Sequence, residues 1–106
     1  MLYELRQYTC TAGNREAFIK VMEEDIIPFQ VSQGMVILAS FAGEEDENTY
    51  VWMRRFKDED ERLKLYDAVY KSDHWNKVIA PKIGNMLDRT GIKVTRLTPT
   101  AKSPLQ

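Results

Sequence analysis

The sequence contains one cysteine, Cys10, and one histidine, His74. A lone cysteine excludes an internal disulfide framework. One histidine with one cysteine cannot make a usual zinc site. A strong charge of either sign is also lacking: 15 Lys and Arg against 16 Asp and Glu leave a net charge of −1. That balance predicts no general attraction to nucleic acid and no electrostatic pull toward an anionic membrane. No apolar run approaches the ~20 residues of a membrane span. The N-terminus has no basic segment followed by a long apolar one, so no signal peptide is visible and a cytoplasmic protein is expected. Phosphate-cradling glycine loops, dinucleotide-binding glycine patterns and Ser-His-Asp spacing signals are missing as well. What remains is an ordinary globular composition, 43% hydrophobic and 29% charged over 106 residues. It suits one domain with one modest core.

The chain is organised around its opening, MLYELRQYTC, which reads as a β-strand rich in apolar, aromatic and β-branched residues. Alternation places Tyr3, Leu5, Gln7 and Thr9 on one face, expected to be core. Leu2, Glu4, Arg6, Tyr8 and Cys10 fall on the other. Apolar groups on both faces predict a central strand covered on both sides. Asn14 is placed to cap a helix over about 14–32, whose apolar positions include Phe18, Val21, Met22 and Ile26. Pro28 should kink or split that helix near Ile27. A second strand spans 35–42. The acidic run Glu44 to Glu47 reads as a solvated hairpin tip, because it lacks the alternating ligands and central glycine of a calcium loop. The third strand, 49–56, alternates Tyr50, Trp52, Arg54 and Phe56 with Val51, Met53 and Arg55. Asp58 and Glu61 make a capping-box-like pair at the head of a second helix carrying Leu63, Tyr66 and Tyr70. Ser72 or Asp73 could cap a short helix through His74, Trp75 and Asn76, and Pro81 should break the chain again. Ile83, Met86 and Leu87 suggest another helical turn or two before Gly91, with a fourth strand from Ile92 to Leu97. Residues 1–98 form the predicted domain, and 99–106, with two prolines, a loose tail.

The order strand, helix, strand, strand, helical region, strand is the ferredoxin-like βαββαβ pattern of the α+β class. It predicts a four-stranded antiparallel sheet with the first and third strands in the middle and the helices on one face. The uncovered face should then be polar, yet the second and third strands are apolar on both sides. Leaving that surface wet would be unusual for a monomer. A homodimer joined through the sheet face follows.

Two groups of residues are candidates for chemistry. Glu4, Arg6 and Tyr8 share a strand face and can be joined by Arg54 or Arg55 from the neighbouring third strand. They make either a structural ion-pair network or a pocket in which arginine binds an anion or enolate and tyrosine donates a hydrogen bond. His74 is either a plain surface or packed residue, or a general base at the mouth of a pocket between helices and sheet. Trp52 and Trp75 are either core residues or lining of that pocket.

The segment Tyr3-Glu4-Leu5-Arg6-Gln7-Tyr8, followed by Ala12-Gly13, resembles the start of NIPSNAP-family domains. The Trp52 strand and Ser72-Asp73-His74-Trp75 resemble the family too, over about residues 1–97. The resemblance implies a dimeric α+β barrel, two ferredoxin-like units with facing sheets. It implies no defined chemistry. Related families of that architecture include cofactor-free monooxygenases and haem-degrading monooxygenases. The axial histidine of the latter has no counterpart here, since His74 precedes Trp75 and the later turn holds Val78, Ile79 and Ala80. No cofactor and no metal are expected. Three functions follow as expectations. The first is a homodimeric binder of a small aromatic or anionic ligand, with Arg6, Tyr8, Trp52 and Trp75 as ligand-binding residues. The second is a cofactor-independent monooxygenase or isomerase with His74 and Arg54 catalytic. The third is a non-catalytic interaction module.

Overall fold

The computed structural model describes residues 1–106. Four strands, β1 (Leu2–Cys10), β2 (Val36–Ala42), β3 (Thr49–Phe56) and β4 (Leu87–Leu97), form one antiparallel sheet in the order β2-β3-β1-β4. The two strands expected in the centre are in the centre. With the helices between them this is the α+β ferredoxin-like fold. No helix is long and apolar enough to cross a membrane.

Register decides which face of the sheet is core. β1 and β3 are paired Leu2 with Phe56, Glu4 with Arg54, Arg6 with Trp52 and Tyr8 with Tyr50. Directly opposed residues point to the same face, so β1 and β3 present these side chains together. That is the face the helices cover: Tyr8, Cys10, Tyr50 and Trp52 pack with Phe18, Met22, Ile26 and Ile79 in one buried cluster. The expectation that Tyr3, Leu5, Gln7 and Thr9 form the core face of β1 is therefore corrected. Gln7 is exposed and Leu5 and Thr9 are only half-buried. The even positions of β3 carry the bulk, and burying them commits the polar face of β1 with them.

The two proline-containing helices are built alike. Helix α1 (Arg15–Val21) runs through a π-helical turn (Met22–Ile26) into α2 (Ile27–Ser32), with Pro28 in the first turn of α2. A second π-helical stretch (His74–Ile79) leads into α4 (Ala80–Ile83), with Pro81 in its first turn. The wider turn is closed by Ile27 N–H donating to the Met22 carbonyl in the first helix and Ala80 N–H to the Trp75 carbonyl in the second. A proline ring inside an α-helix clashes with the carbonyl four residues back and cannot bond it. One extra residue in the preceding turn moves the chain out of that register. So Pro28 and Pro81 are absorbed rather than breaking the chain.

Capping follows expectation at one helix and departs from it at another. Helix α3 (Glu59–Tyr70) begins with Asp58 Oδ1 accepting from Glu61 N–H at 2.9 Å, and Glu61 Oε1 accepts from Lys57 N–H at 3.0 Å. Asn14 precedes α1 without a side-chain cap; its Nδ2 donates to Thr11 Oγ1 instead. Ser72 Oγ accepts from Trp75 N–H and so serves the second π-helical stretch. The β2–β3 hairpin is held from α1: Arg15 Nη1 donates to the carbonyls of Gly43, Asp46 and Thr49.

The chain from Leu87 to Gly91 is strand, not the helical turn the spacing of Ile83, Met86 and Leu87 suggested. Gly91 does not end an element. It lies beside β1 where the pairing shifts between Gln7 and Thr9, and a Cβ there would stand 2.7 Å from Thr9 Oγ1. A bulge that brings two backbones this close requires glycine. Beyond β4, the final residues turn back over the other sheet face. Ser103 N–H donates to the Thr100 carbonyl, and Pro99, Ser103 and Leu105 line a recess together with Tyr3 and Met53. Tyr3, on the face away from the helices, is thereby buried, and its hydroxyl has no partner.

Candidate functional site

A cavity of about 140 Å³ lies between the helices and the sheet. β1 contributes Arg6 and Tyr8, β3 contributes Trp52, and β4 contributes Leu87, Arg89 and Ile92. From the helical side come Phe18, Met22, Ile26, Trp75 and Ile83, with Gln30 and Tyr70 closing one end. The alternation of β1 and β3 positions the strand residues on this face, and the helical repeat of α1 and the turn that follows it brings Phe18, Met22 and Ile26 onto it.

The polar groups of the lining are almost all donors. Arg6 Nε donates to Tyr8 Oη at 2.8 Å, which leaves the Tyr8 proton free. Arg6 Nη1 reaches Tyr66 Oη at 3.4 Å. Trp52 is 2% exposed, and its indole N–H has no partner. A buried donor left unmade costs about 1–3 kcal/mol. Gln30 is engaged at both ends: its amide oxygen accepts from Arg54 and its Nε2 donates one hydrogen to Tyr70 Oη. Neither Arg6 nor Arg89 takes part in an ion pair. Burial works against the Arg6 charge, but the hydroxyls of Tyr8, Tyr70 and Tyr66 more than offset it, so its pKa lies above the ordinary value. The lining therefore carries two cations, Arg6 and Arg89, and two phenols, Tyr8 and Tyr70, with no carboxylate.

Behind the cavity lies a second polar group, closed on itself. Arg54 is fully buried. Its Nε and Nη2 donate to Glu4 Oε1 at 3.1 and 2.8 Å, its Nη1 to Gln30 Oε1 and Tyr70 Oη, and its Nη2 also to Tyr66 Oη. These acceptors account for all the N–H groups a guanidinium has. Trp52 and Tyr66 flank the cation with ring centroids 4.7 and 5.1 Å from its central carbon. Tyr66 donates to Glu4 Oε2 at 2.6 Å. Burial, together with Glu4 and against the pull of Arg54, pushes the Tyr66 phenol up to about 12, so it stays a neutral donor. Burial likewise works against the Arg54 charge, but Tyr70, Tyr66 and Glu4 outweigh it and raise its pKa.

Of the residues singled out in the sequence, Arg6, Tyr8, Trp52 and Trp75 meet at the cavity. Arg54 and His74 do not line it. Arg54 is spent on Glu4 and its neighbours. His74 is exposed, with its ring 4.7 Å from that of Phe29. Sequence reasoning missed Arg89, Gln30 and Tyr70. Arg89 sits in the stretch read as helical, and Tyr70 belongs to a helical stripe that reads equally well as core. Gln30 carries no signal in the sequence.

Residues 3–104 match the NIPSNAP family. The chain belongs to the NIPSNAP family. Its fold is similar to that of Atu4242 from Agrobacterium tumefaciens, at 26% identity over 100% of both chains with a TM-score of 0.90. An uncharacterized NIPSNAP domain protein from Burkholderia xenovorans aligns at 22% identity over 98% of this chain and 99% of that one, with a TM-score of 0.86. More distantly, the fold matches a Nitrosomonas europaea protein named as a candidate antibiotic biosynthesis monooxygenase. There the identity is 9%, the coverage 92% and 97%, and the TM-score 0.69. At that identity the match shows likeness of fold alone. No curated protein matches the sequence.

Proposed function

We propose that this NIPSNAP protein is a cytoplasmic homodimer that binds a small molecule in the cavity between helices and sheet. The observation that carries the reading is the cavity itself, about 140 Å³, whose aromatic and aliphatic wall also carries two arginines, Arg6 and Arg89, that take part in no ion pair. No carboxylate of the chain takes up these guanidinium N–H groups, and an acceptor on a ligand would do so. Aromatic and aliphatic walls with a few convergent polar groups are the usual make-up of a small-molecule site.

The dimer is supported by the sheet face away from the helices. Val36, Phe41 and Leu97 are 36%, 61% and 40% exposed there, and Leu5, Val51 and Met53 are only half-buried. At ~25 cal/mol per Å², covering a few hundred Å² gains several kcal/mol before association costs. A two-fold partner presenting the same face would cover it. A cofactor-independent monooxygenase or isomerase would use the same donors to hold an enolate. Proton abstraction needs a base, however, and neither a carboxylate nor an imidazole lines the cavity. The lining thus supports binding ahead of turnover.

Crystals under xenon pressure test the site without choosing a ligand. Xenon density among Phe18, Met22, Ile26 and Ile83 is expected. Absence of xenon there, with occupancy elsewhere in the same crystal, would refute the cavity as a binding site.

A further inference from the structure

We infer that the ligand is a single-ring aromatic monoanion, or an apolar acid of the same size, whose charged end lies between Arg6 and Arg89. This rests on the cavity being the binding site. Three independent features fix the class. The first is size. A cavity of about 140 Å³ matches the ~150 Å³ that accommodates one benzene ring, and it excludes fused-ring ligands unless the helices move apart. The second is wall chemistry. Tyr8 meets Phe18 and Trp52 edge-on at 6.0 and 6.2 Å, and such walls favour an aromatic guest by offset or edge contact. The third is polarity. Among the lining's hydrogen-bonding side chains, Arg6 and Arg89 can only donate, Tyr8 keeps its proton free because it accepts from Arg6, and the Gln30 amide oxygen is already taken by Arg54. A cationic ligand would meet two guanidiniums and no acid. A neutral amide would leave its own N–H groups opposite donors. A carboxylate, phenolate or enolate satisfies all of them, and a guanidinium holds a carboxylate in fork geometry.

The placement of charge sets the orientation. Arg89 is exposed on β4, so the cavity meets solvent at that edge, and its deep end is the apolar wall of Phe18, Met22 and Ile26. The ring therefore enters first and the anionic group stays near the mouth. Arg6 is already tethered to Tyr8 and Tyr66. It is ordered before the ligand arrives, which lowers the cost of binding. Arg89 is a residue to which no other role falls in the fold.

The test is a titration of the isotope-labelled protein with benzoate and with benzamide, its neutral isostere. The indole N–H resonances of Trp52 and Trp75 report occupancy by NMR. Saturable benzoate binding that moves the Trp52 resonance is expected, with benzamide weaker by about tenfold or more, the usual worth of a charged hydrogen-bond pair. Arg89→Gln, a surface change with no native partner to lose, should weaken benzoate several-fold and leave benzamide unchanged. Arg6→Gln should weaken benzoate by about tenfold. Equal affinity for the two probes, or benzoate affinity insensitive to both arginine changes, would overturn the anion assignment while leaving the cavity a ligand site. Xenon entry without any benzoate response would overturn the ligand class. Failure of both xenon and benzoate to enter would sink the underlying reading as well.

Discussion

Replacing Arg54 by methionine should cost far more than its position on a strand suggests. The guanidinium is fully buried, donates to Glu4, Gln30, Tyr66 and Tyr70, and faces a carboxylate that is itself 1% exposed. Methionine fills much of the space but leaves the Glu4 charge with only the Tyr66 hydroxyl at 2.6 Å and Arg62 at 3.5 Å. Breaking a buried pair from one side costs about 3–5 kcal/mol, because the remaining charge stays desolvated. Against a typical total of about 5–15 kcal/mol that is a large share, and for a domain of this size it lowers Tm by roughly 12–40 °C. Removing both charges, with Glu4→Leu added to Arg54→Met, should recover part of the loss, since no ion is then stranded. The Gln30 amide oxygen and the Tyr66 and Tyr70 hydroxyls would still have lost their hydrogen bonds to Arg54, so recovery should be incomplete. The double-mutant cycle should give a coupling of about 2–3 kcal/mol. Urea unfolding at fixed protein concentration, followed by Trp52 fluorescence, measures it. A cost below about 1 kcal/mol for Arg54→Met, the range of exposed pairs, would refute the reasoning. So would single effects that add within about 0.5 kcal/mol.

Other outcomes follow from the same geometry. Burial pushes Tyr50 and Tyr66 up to about 12; the folded state favours their neutral forms. Stability from these two groups is therefore fully present below about pH 10, the ordinary tyrosine value, and is lost as pH rises from there through about 12. Urea midpoints measured at rising alkaline pH should fall across that window, and a flat profile would contradict the burial of both phenols. Gly91→Ala forces a Cβ against Thr9 and should destabilise by about 1–3 kcal/mol. Gly84→Ala meets open space at a helix end and should be neutral or stabilising by up to ~1 kcal/mol; thermal melts compare the two. Phe41→Glu, at a side chain 61% exposed on the outer sheet face, should convert a dimer to the 12.4 kDa monomer by light scattering. An unchanged dimer would move the interface elsewhere.

The topology was legible because the order of elements and the alternation of β3 leave few arrangements. Tyr50, Trp52, Arg54 and Phe56 mark one face so strongly that β1 must follow it. What misled was polarity within β1: the charges on Glu4 and Arg6 made the opposite face of the strand read as the main core, although the same reading placed Arg54 or Arg55 beside them, and Arg54 is the one opposite Glu4. Burial there is a property of the pair, not of either residue. The helical region before β4 was misread for a related reason. Apolar residues at Ile83, Met86 and Leu87 fit a helix, but the close approach of Gly91 to Thr9 is a tertiary contact that turns the stretch into strand. The π-helical turns before Pro28 and Pro81 were invisible as such, although the prolines marked where the helices must deform. Arg6, Tyr8, Trp52 and Trp75 could be grouped from topology. Arg89 could not, because its element was misassigned.

A crystal structure of the protein grown with benzoate tests the central claim most directly. The account predicts the ring between Phe18 and Trp75 and a carboxylate oxygen within hydrogen-bond distance of the Arg6 guanidinium. A cavity that remains empty at saturating benzoate, or benzoate held only at sites away from Trp52, would contradict it.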